Sequence, residues 1–395
     1  MKLNVRLSGV RSRRLREGGS RASARVGWRT VWFESPDVEL RASVEGFCGA
    51  AWLAALKRGR GLTAPHDVDA VWWSNVQELH SQWQDRGDFP RGLPRGVRVV
   101  DSAAAPRQRR TALFFSCGAD SFYSLFAGPI RPQALVFGHG FDIPLCDRQR
   151  GKAAEEAVKS VARELSLEAI SLSTNYRAHP ILRRANWGQV YGAAMAAAGH
   201  ALGGEMDQIL ISTGESSPGH DSSWGADWRT VHLWSSAAVR FVRAGGVDSR
   251  LTKTRAIAGH PLVQQRLRVC WQNTGLLENC SRCDKCLCMM AMLEYCGSLR
   301  AFCTFDHSES LLDRLDRLPR TGYLANYTEL LAQGLDRPLR TAIKRLLSRS
   351  PSPAQQRLAA KSVVLRGAQL EGPIGAGVTP PARIATRRVL RSTPS

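Results

Sequence analysis

Acid is scarce in this 395-residue chain: 34 Asp and Glu stand against 55 Lys and Arg, a formal net charge of +21. That imbalance points to an anionic partner such as a nucleotide, a nucleic acid or an acidic membrane surface. An Arg-rich codon usage would produce the same excess with no partner at all. Long apolar runs are missing too. "AAMAAAGHALGG" is the nearest approach, and it is too short and too small-sided for a span of roughly 18 apolar residues. The opening "MKLNVRLSGVRSRRLREGG" lacks the apolar centre of a secretory leader. Also absent is the Walker pattern G-x-x-x-x-G-K-[ST], which excludes the commonest phosphate loop. Cysteine, by contrast, is plentiful: most of the ten are clustered rather than spread. Without an export signal, clustering predicts metal binding or reactive thiols in a reducing compartment, hence a cytoplasmic protein without a membrane partner.

The chain divides by texture. Residues 1–105 read as a small β-rich N-terminal domain, with short alternating stretches in "ASARVGWRTVWFESPDVELRASVEG" and a helix in "GAAWLAALKRG" that Gly59 ends. The Pro/Gly/Arg-rich "DFPRGLPRGVRVVDSAAAPRQRR" reads as a linker. Across 106–305, the buried-strand runs "TALFFS", "QALVFGHGF", "EAISLST" and "QILIST" alternate with the helical patterns "GKAAEEAVKSVARELS" and "NWGQVYGAAMAAAGHAL". Such alternation predicts an α/β fold, a doubly wound parallel sheet. The stretch 215–260 reads as loop with several Trp, 306–349 as a helical extension, and 350–395 as a basic, disordered tail.

Two clusters carry chemistry. The first is Ser116-Cys117-Gly118-Ala119-Asp120-Ser121, between the first α/β strand and a helix. Small residues there let backbone amides approach an anion, and the helix N-terminus and Ser hydroxyls add to the attraction. An ordinary turn with Asp120 and Ser121 as caps is the plainer alternative. The second is Cys270-x9-Cys280-x2-Cys283-x2-Cys286, four thiolates at a spacing that closes a tetrahedral Zn²⁺ knuckle. An iron–sulfur cluster or unmetallated core thiols are the other readings. Cys288, Cys296 and Cys303 read as buried structural thiols, with Cys288 near enough to compete as a ligand.

The six-residue loop resembles the SGGxDS signature of the PP-loop ATP pyrophosphatases, with Cys117 in place of the first Gly. If that position needs positive φ, a Cys is strained there; if not, it is a tolerated small residue. A thiol beside a helix N-terminus would also be acidified and reactive. Together with the downstream cysteines, and with Lys253-Thr254 before them and Trp271 after Cys270, the chain from about 111 to 295 resembles the 7-cyano-7-deazaguanine synthases of queuosine biosynthesis and their relatives.

The resemblance implies a carboxylate attacking the α-phosphate of MgATP, release of pyrophosphate, then displacement of AMP by an amine, ammonia or thiol. It assigns the pyrophosphate to Ser116, Cys117, Gly118, Ala119, Asp120 and Ser121. Asp120 would hold Mg²⁺ or cap the helix, and Lys253 would neutralise phosphate charge. Adenine would lie near Phe137, Gly138, His139 and Asp142, with Ser212 and His179 facing the cleft. Trp224, Trp228 and Trp234 could stack a planar substrate or pack the core. Two further readings stay open: an RNA-thiolating ligase whose Arg-rich ends dock nucleic acid, and a catalytically impaired nucleotide-binding interaction protein.

Overall fold

The computed structural model describes residues 4–85, 87, 90–102, 110–214 and 225–350; Trp224 and the tail beyond Ser350 lie outside them. The chain opens with an antiparallel meander, β1 (Val5–Arg14), β2 (Ser20–Val26) and β3 (Arg29–Ser35), in which Leu7 faces Val26 and Ala24 faces Val31. Alternation sends Ala22, Ala24 and Val26 into the core and leaves Arg25 in solvent, although Ser23 on the opposite face is covered as well. α1 (Val44–Leu56) begins at Ser43, whose Oγ accepts the Gly46 amide at 3.1 Å, and a left-handed Gly59 closes the turn after it. Short strands β4 (Leu62–Thr63) and β5 (Asp67–Asp69) follow, then α2 (Ala70–Asp85) and β6 (Arg98–Val100).

The α/β region runs β7 (Thr111–Phe114), α3 (Ala119–Ala127), β8 (Ala134–His139), α4 (Arg148–Glu164), β9 (Glu168–Thr174), α5 (Trp187–Ala201), β10 (Gln208–Ser212) and β11 (Arg240–Ala244). After these come α6 (Arg250–Ile257), α7 (Pro261–Arg266), α8 (Asp284–Tyr295), α9 (Leu311–Arg317), α10 (Leu324–Leu331) and α11 (Arg337–Arg349).

Among the described residues the main sheet has nine strands in the order β11-β10-β7-β8-β9-β3-β2-β1-β4. β7 to β11 pair parallel to one another. Counted in their own chain order, from the β9 edge they lie third-second-first-fourth-fifth, and the direction of winding reverses between β7 and β10. In such a sheet the crevice beyond the carboxyl ends of the two strands flanking the reversal is where ligands are received.

The meander is not hung on a separate sheet. β3 pairs antiparallel with β9, Phe33 opposite Thr174 and Glu34 opposite Ser173, so the strands read as a β-rich unit over 1–105 extend the α/β sheet. The stretch read as a linker contains β6, which lies parallel to β5.

Alternation along β7 divides the core: Ala112 and Phe114 face one side, where α1, α2 and α5 pack, and Leu113 and Phe115 face the other, with α3, α4 and α6 to α11. β11 lies in the stretch read as loop, and β1 carries no clear strand signal in the sequence. Both are broken by Arg at the solvent positions, which dilutes the apolar pattern on which strand recognition rests.

Candidate anion cleft and metal centre

At the carboxyl end of β7 the chain turns sharply. Cys117 adopts φ +57°, the left-handed region, at the position where the resembled signature carries Gly. Holding a non-glycine residue there costs about 1–2 kcal/mol, and two features fix it. The Cys117 carbonyl accepts the Arg268 amide at 2.9 Å, and the side chain is buried. Burial pushes the Cys117 thiol up to about 12 against the pull of Arg268 and Arg266, so it stays protonated. The reactive-thiol reading is thereby corrected: the helix N-terminus does not offset the loss of water.

Gly118 is the N-cap of α3 and gives it no side-chain cap. The first helical bond runs from the Phe122 amide to the Gly118 carbonyl at 2.9 Å, which leaves the amides before it with no partner inside the helix. Ser121 is not a cap either: its hydroxyl donates back to the Gly118 carbonyl at 2.9 Å. A Cβ on Gly118 would lie 3.4 Å from Ser116 Oγ and 3.8 Å from Ser121 Oγ, so the missing side chain keeps open the space between two hydroxyls. Ser116 is exposed. Uncapped amides, a helix dipole and the exposed Ser116 hydroxyl are features that favour an anion at this position.

Asp120 neither caps the helix nor stands free. Its Oδ2 accepts from Arg250 Nη2 at 3.0 Å and its Oδ1 from Lys253 Nζ at 3.3 Å. Burial raises its pKa, but Arg250, Lys253 and the Lys253 hydrogen bond outweigh that and hold the carboxyl below the usual range. With both oxygens taken, Asp120 as placed does not fit the role of Mg²⁺ ligand. Lys253, expected to neutralise phosphate charge, is 0% exposed; it also donates to the Thr213 carbonyl at 2.9 Å. It therefore ties the end of β10 to the N-terminus of α3 across the reversal point. Lys285 on α8 completes the ring. Burial lowers its pKa and so does Arg250, while Asp142 and Asp120 raise it; among the described residues its ammonium makes no hydrogen bond. Arg268 is likewise depressed by burial, with Asp142 opposing. Arg250, Lys253, Lys285 and Arg268 thus face Asp120 and Asp142, a cationic surplus at the crevice. Arg250, Arg268 and Lys285 escape a sequence reading, since nothing in their local patterns marks them.

The remaining predicted residues scatter. Phe137 is core, and Gly138 gives room to the Phe141 ring, which a Cβ would meet at 2.5 Å. The His139 ring lies against Gly151 of α4, with Nε2 3.1 Å from the Pro144 carbonyl. It lines a cavity of about 400 Å³ with Arg148, Lys152, Glu155, Glu156 and Lys159. Asp142 stays at the rim and accepts Trp187 Nε1 at 3.3 Å. Ser212 ends β10 with its hydroxyl buried and, among the described residues, without a hydrogen-bond partner. His179 does not face the cleft: its ring is buried, Nε2 donates to the Arg29 carbonyl at 3.2 Å, and Nδ1 accepts the Ile181 amide at 3.3 Å. Trp234 packs in the core on Trp83, and Trp228 lies beneath the Arg229 and Arg243 guanidinium groups at 5.8 and 5.4 Å.

The four cysteines do converge. The sulfurs of Cys270, Cys280, Cys283 and Cys286 all lie within 4.8 Å of one another, and Cys280 and Cys286 are 3.8 Å apart. Tetrahedral Zn–S bonds of about 2.3 Å demand an S···S edge of roughly 3.8 Å, so the donor set fits zinc. One side chain sets the geometry. Asn279 Oδ1 accepts the Val269 and Cys270 amides at 2.8 and 3.0 Å, which clamps the distant ligand onto the knuckle. Cys283 is the N-cap of α8, and a left-handed Ser281 makes the turn between the first two knuckle ligands. Cys288 stands outside the cluster. Cys303 is exposed rather than buried as expected.

Comparison of the chain with protein-family models, curated proteins and solved structures finds no match. Among the described residues no helix is long and apolar enough to cross a membrane.

Proposed function

We propose that the chain is an ATP-dependent adenylating enzyme of PP-loop type. It would activate a carboxylate or nucleobase-like small molecule for amidation or nitrile formation, in the manner of the 7-cyano-7-deazaguanine synthases it resembles. The observation that carries this reading is the uncapped loop 116–121 at the sheet's reversal point, backed by Arg250, Lys285 and Arg268, while the left-handed backbone at Cys117 counts against turnover. A triphosphate supplies the negative charge that surplus calls for.

In this reading a carboxylate oxygen of the substrate attacks the α-phosphorus, and the bond to the bridging oxygen of the β-phosphate breaks. Pyrophosphate leaves into the loop amides and the exposed hydroxyl of Ser116, while the Ser121 hydroxyl stays on the Gly118 carbonyl. Arg250 and Lys285 spread the charge that develops on it, and pre-aimed donors of this kind are the largest single source of rate in such transfers. An amine or ammonia then displaces AMP. Lys253 positions Asp120 and Thr213 and does not touch the nucleotide. Any Mg²⁺ would arrive on the triphosphate oxygens, since Asp120 is engaged by two cations. A zinc ion on the four thiolates would be structural: no fifth donor or open position is built for chemistry.

The engagement of Asp120 favours a second reading, a nucleotide-binding protein without turnover. The two part on one assay. Pyrophosphate release from ATP, stimulated by a member of a panel of small carboxylates, is the expected outcome. ATP binding with no such release from any of them favours the second.

A further inference from the structure

We propose that the outward face of the β1–β3 meander binds a single-stranded polynucleotide. In sequence the N-terminal arginines look like a solvated charge run with no aromatic among them. Strand register changes that picture. Arg11 lies opposite Ser23 and Arg13 opposite Arg21; across the next ladder Arg21 faces Glu34, Ser23 faces Trp32, and Arg25 faces Thr30. Directly opposed residues of an antiparallel pair share a face. Arg11, Arg13, Arg21 and Arg25 therefore surround Trp32 on one surface.

The reverse side of these strands, with Ala22, Ala24, Val26, Val31 and Phe33, is sealed in the core. Arg11, Arg13 and Arg25 are exposed, and among the described residues none of the three guanidinium groups makes a hydrogen bond or ion pair. Glu34 lies on this face, and Arg21 neutralises it. The Arg21 guanidinium lies 4.7 Å over Trp32; at the meander's turn Arg29 lies 4.3 Å over Trp28, a ring 66% exposed.

Free guanidinium groups for phosphates, interleaved with aromatic faces for bases, are the two requirements of single-strand binding. A paired duplex offers the phosphates but not the base faces. An acidic peptide or an anionic lipid surface would use the charge and leave the ring planes idle. The chain's own segment 351–395 is basic in sequence and lacks the negative charge this face calls for. This surface is separate from the cleft, so the inference does not rest on the proposed adenylation.

The test is fluorescence anisotropy of the full-length protein with 12-nucleotide oligo(U), 12-nucleotide oligo(dT) and a 12-base-pair DNA duplex between 50 and 200 mM salt. Phosphatidylserine vesicles form a parallel arm. We expect both single strands to bind more tightly than the duplex, and the oligo(U) and oligo(dT) arms to tell RNA preference from DNA. The combined variant Arg11→Ala, Arg13→Ala, Arg25→Ala should flatten the log–log salt slope by about 2, at ~0.7 for each phosphate no longer neutralised. Trp28→Ala, whose ring is exposed and not needed for folding, should weaken binding roughly 5- to 150-fold with the slope unchanged. Wild-type affinity and slope in the triple variant would overturn the proposal. So would equal affinity for the duplex, or vesicle binding with no oligonucleotide binding. Pyrophosphate release in the triple variant should match wild type, which separates failure here from failure of the cleft assignment.

Discussion

Two groups of basic residues lie apart, one on the helices that close the cleft and one on the strands of the meander, and burial gives them different work. In the cleft, Lys253 has no contact with water and Arg250 little, and both are held on Asp120. On the meander, Arg11, Arg13 and Arg25 stand in solvent. Buried cations are rigid and expensive to desolvate, so they suit one compact anion at a fixed place. Exposed ones are weakly held and screened by salt, and they suit an extended polyanion that many small contacts can follow. Net charge alone cannot tell the two apart; their neighbours do.

Removing the metal centre should break the comparison most severely. Structural zinc contributes about 10–16 kcal/mol of binding free energy in small sites, and here the knuckle carries Lys285 and, through the Arg268–Cys117 hydrogen bond, braces the loop. Cys283→Ser, or chelation, should abolish nucleotide binding and lower the melting temperature by more than ~10 °C, roughly the effect of several kcal/mol. Elemental analysis should find one zinc per chain; visible absorbance from an iron–sulfur cluster would contradict the assignment.

Lys253→Met comes next. It leaves Asp120 with Arg250 as its remaining cation and the buried Thr213 carbonyl without its donor, and should cost about 1–3 kcal/mol in urea unfolding. Arg250→Ala should alter stability less, yet weaken ATP binding by roughly 10- to 100-fold in calorimetric titration, as expected for a charged hydrogen bond of roughly 1.5–3 kcal/mol.

Acid should act on the packed core and on the edge of the meander that the His179 ring holds through the Arg29 carbonyl. Burial depresses the pKa of His200, despite opposing help from Glu45 and the Trp234 carbonyl, and that of His179. Both rings fold neutral. Their contribution is complete above the unfolded value of about 6.5 and is lost as pH falls below it. The melting temperature should therefore fall between about pH 7.5 and 5.5, and less so in His200→Gln. The smallest effect concerns Cys117: alkylation at mildly alkaline pH should modify exposed Cys146 and Cys303 and spare Cys117, whose thiol is buried and pushed up to about 12.

The loop 116–121 and the four cysteines are legible in the sequence because each is a local spacing that chemistry restricts. The same holds for the strands β7 to β10, whose short apolar runs are bounded by turns. What surrounds the loop is not legible. Arg250 and Lys253 reach Asp120 from 130 and 133 residues away, and the basic meander meets its tryptophans only through register. Both depend on which strands become neighbours, and no window of sequence contains that. β1 and β11 are hidden for the reason that makes them interesting: arginine occupies their outward positions.

Adenylation stands or falls at the loop after β7. The direct measurement follows ATP labelled at its α-phosphate, incubated with the protein and the carboxylate panel, and identifies the labelled product. The expected product is AMP, or its acyl adduct, formed in step with pyrophosphate and lost in Arg250→Ala. Labelled ADP with free phosphate, or an unchanged rate in that variant, would contradict it.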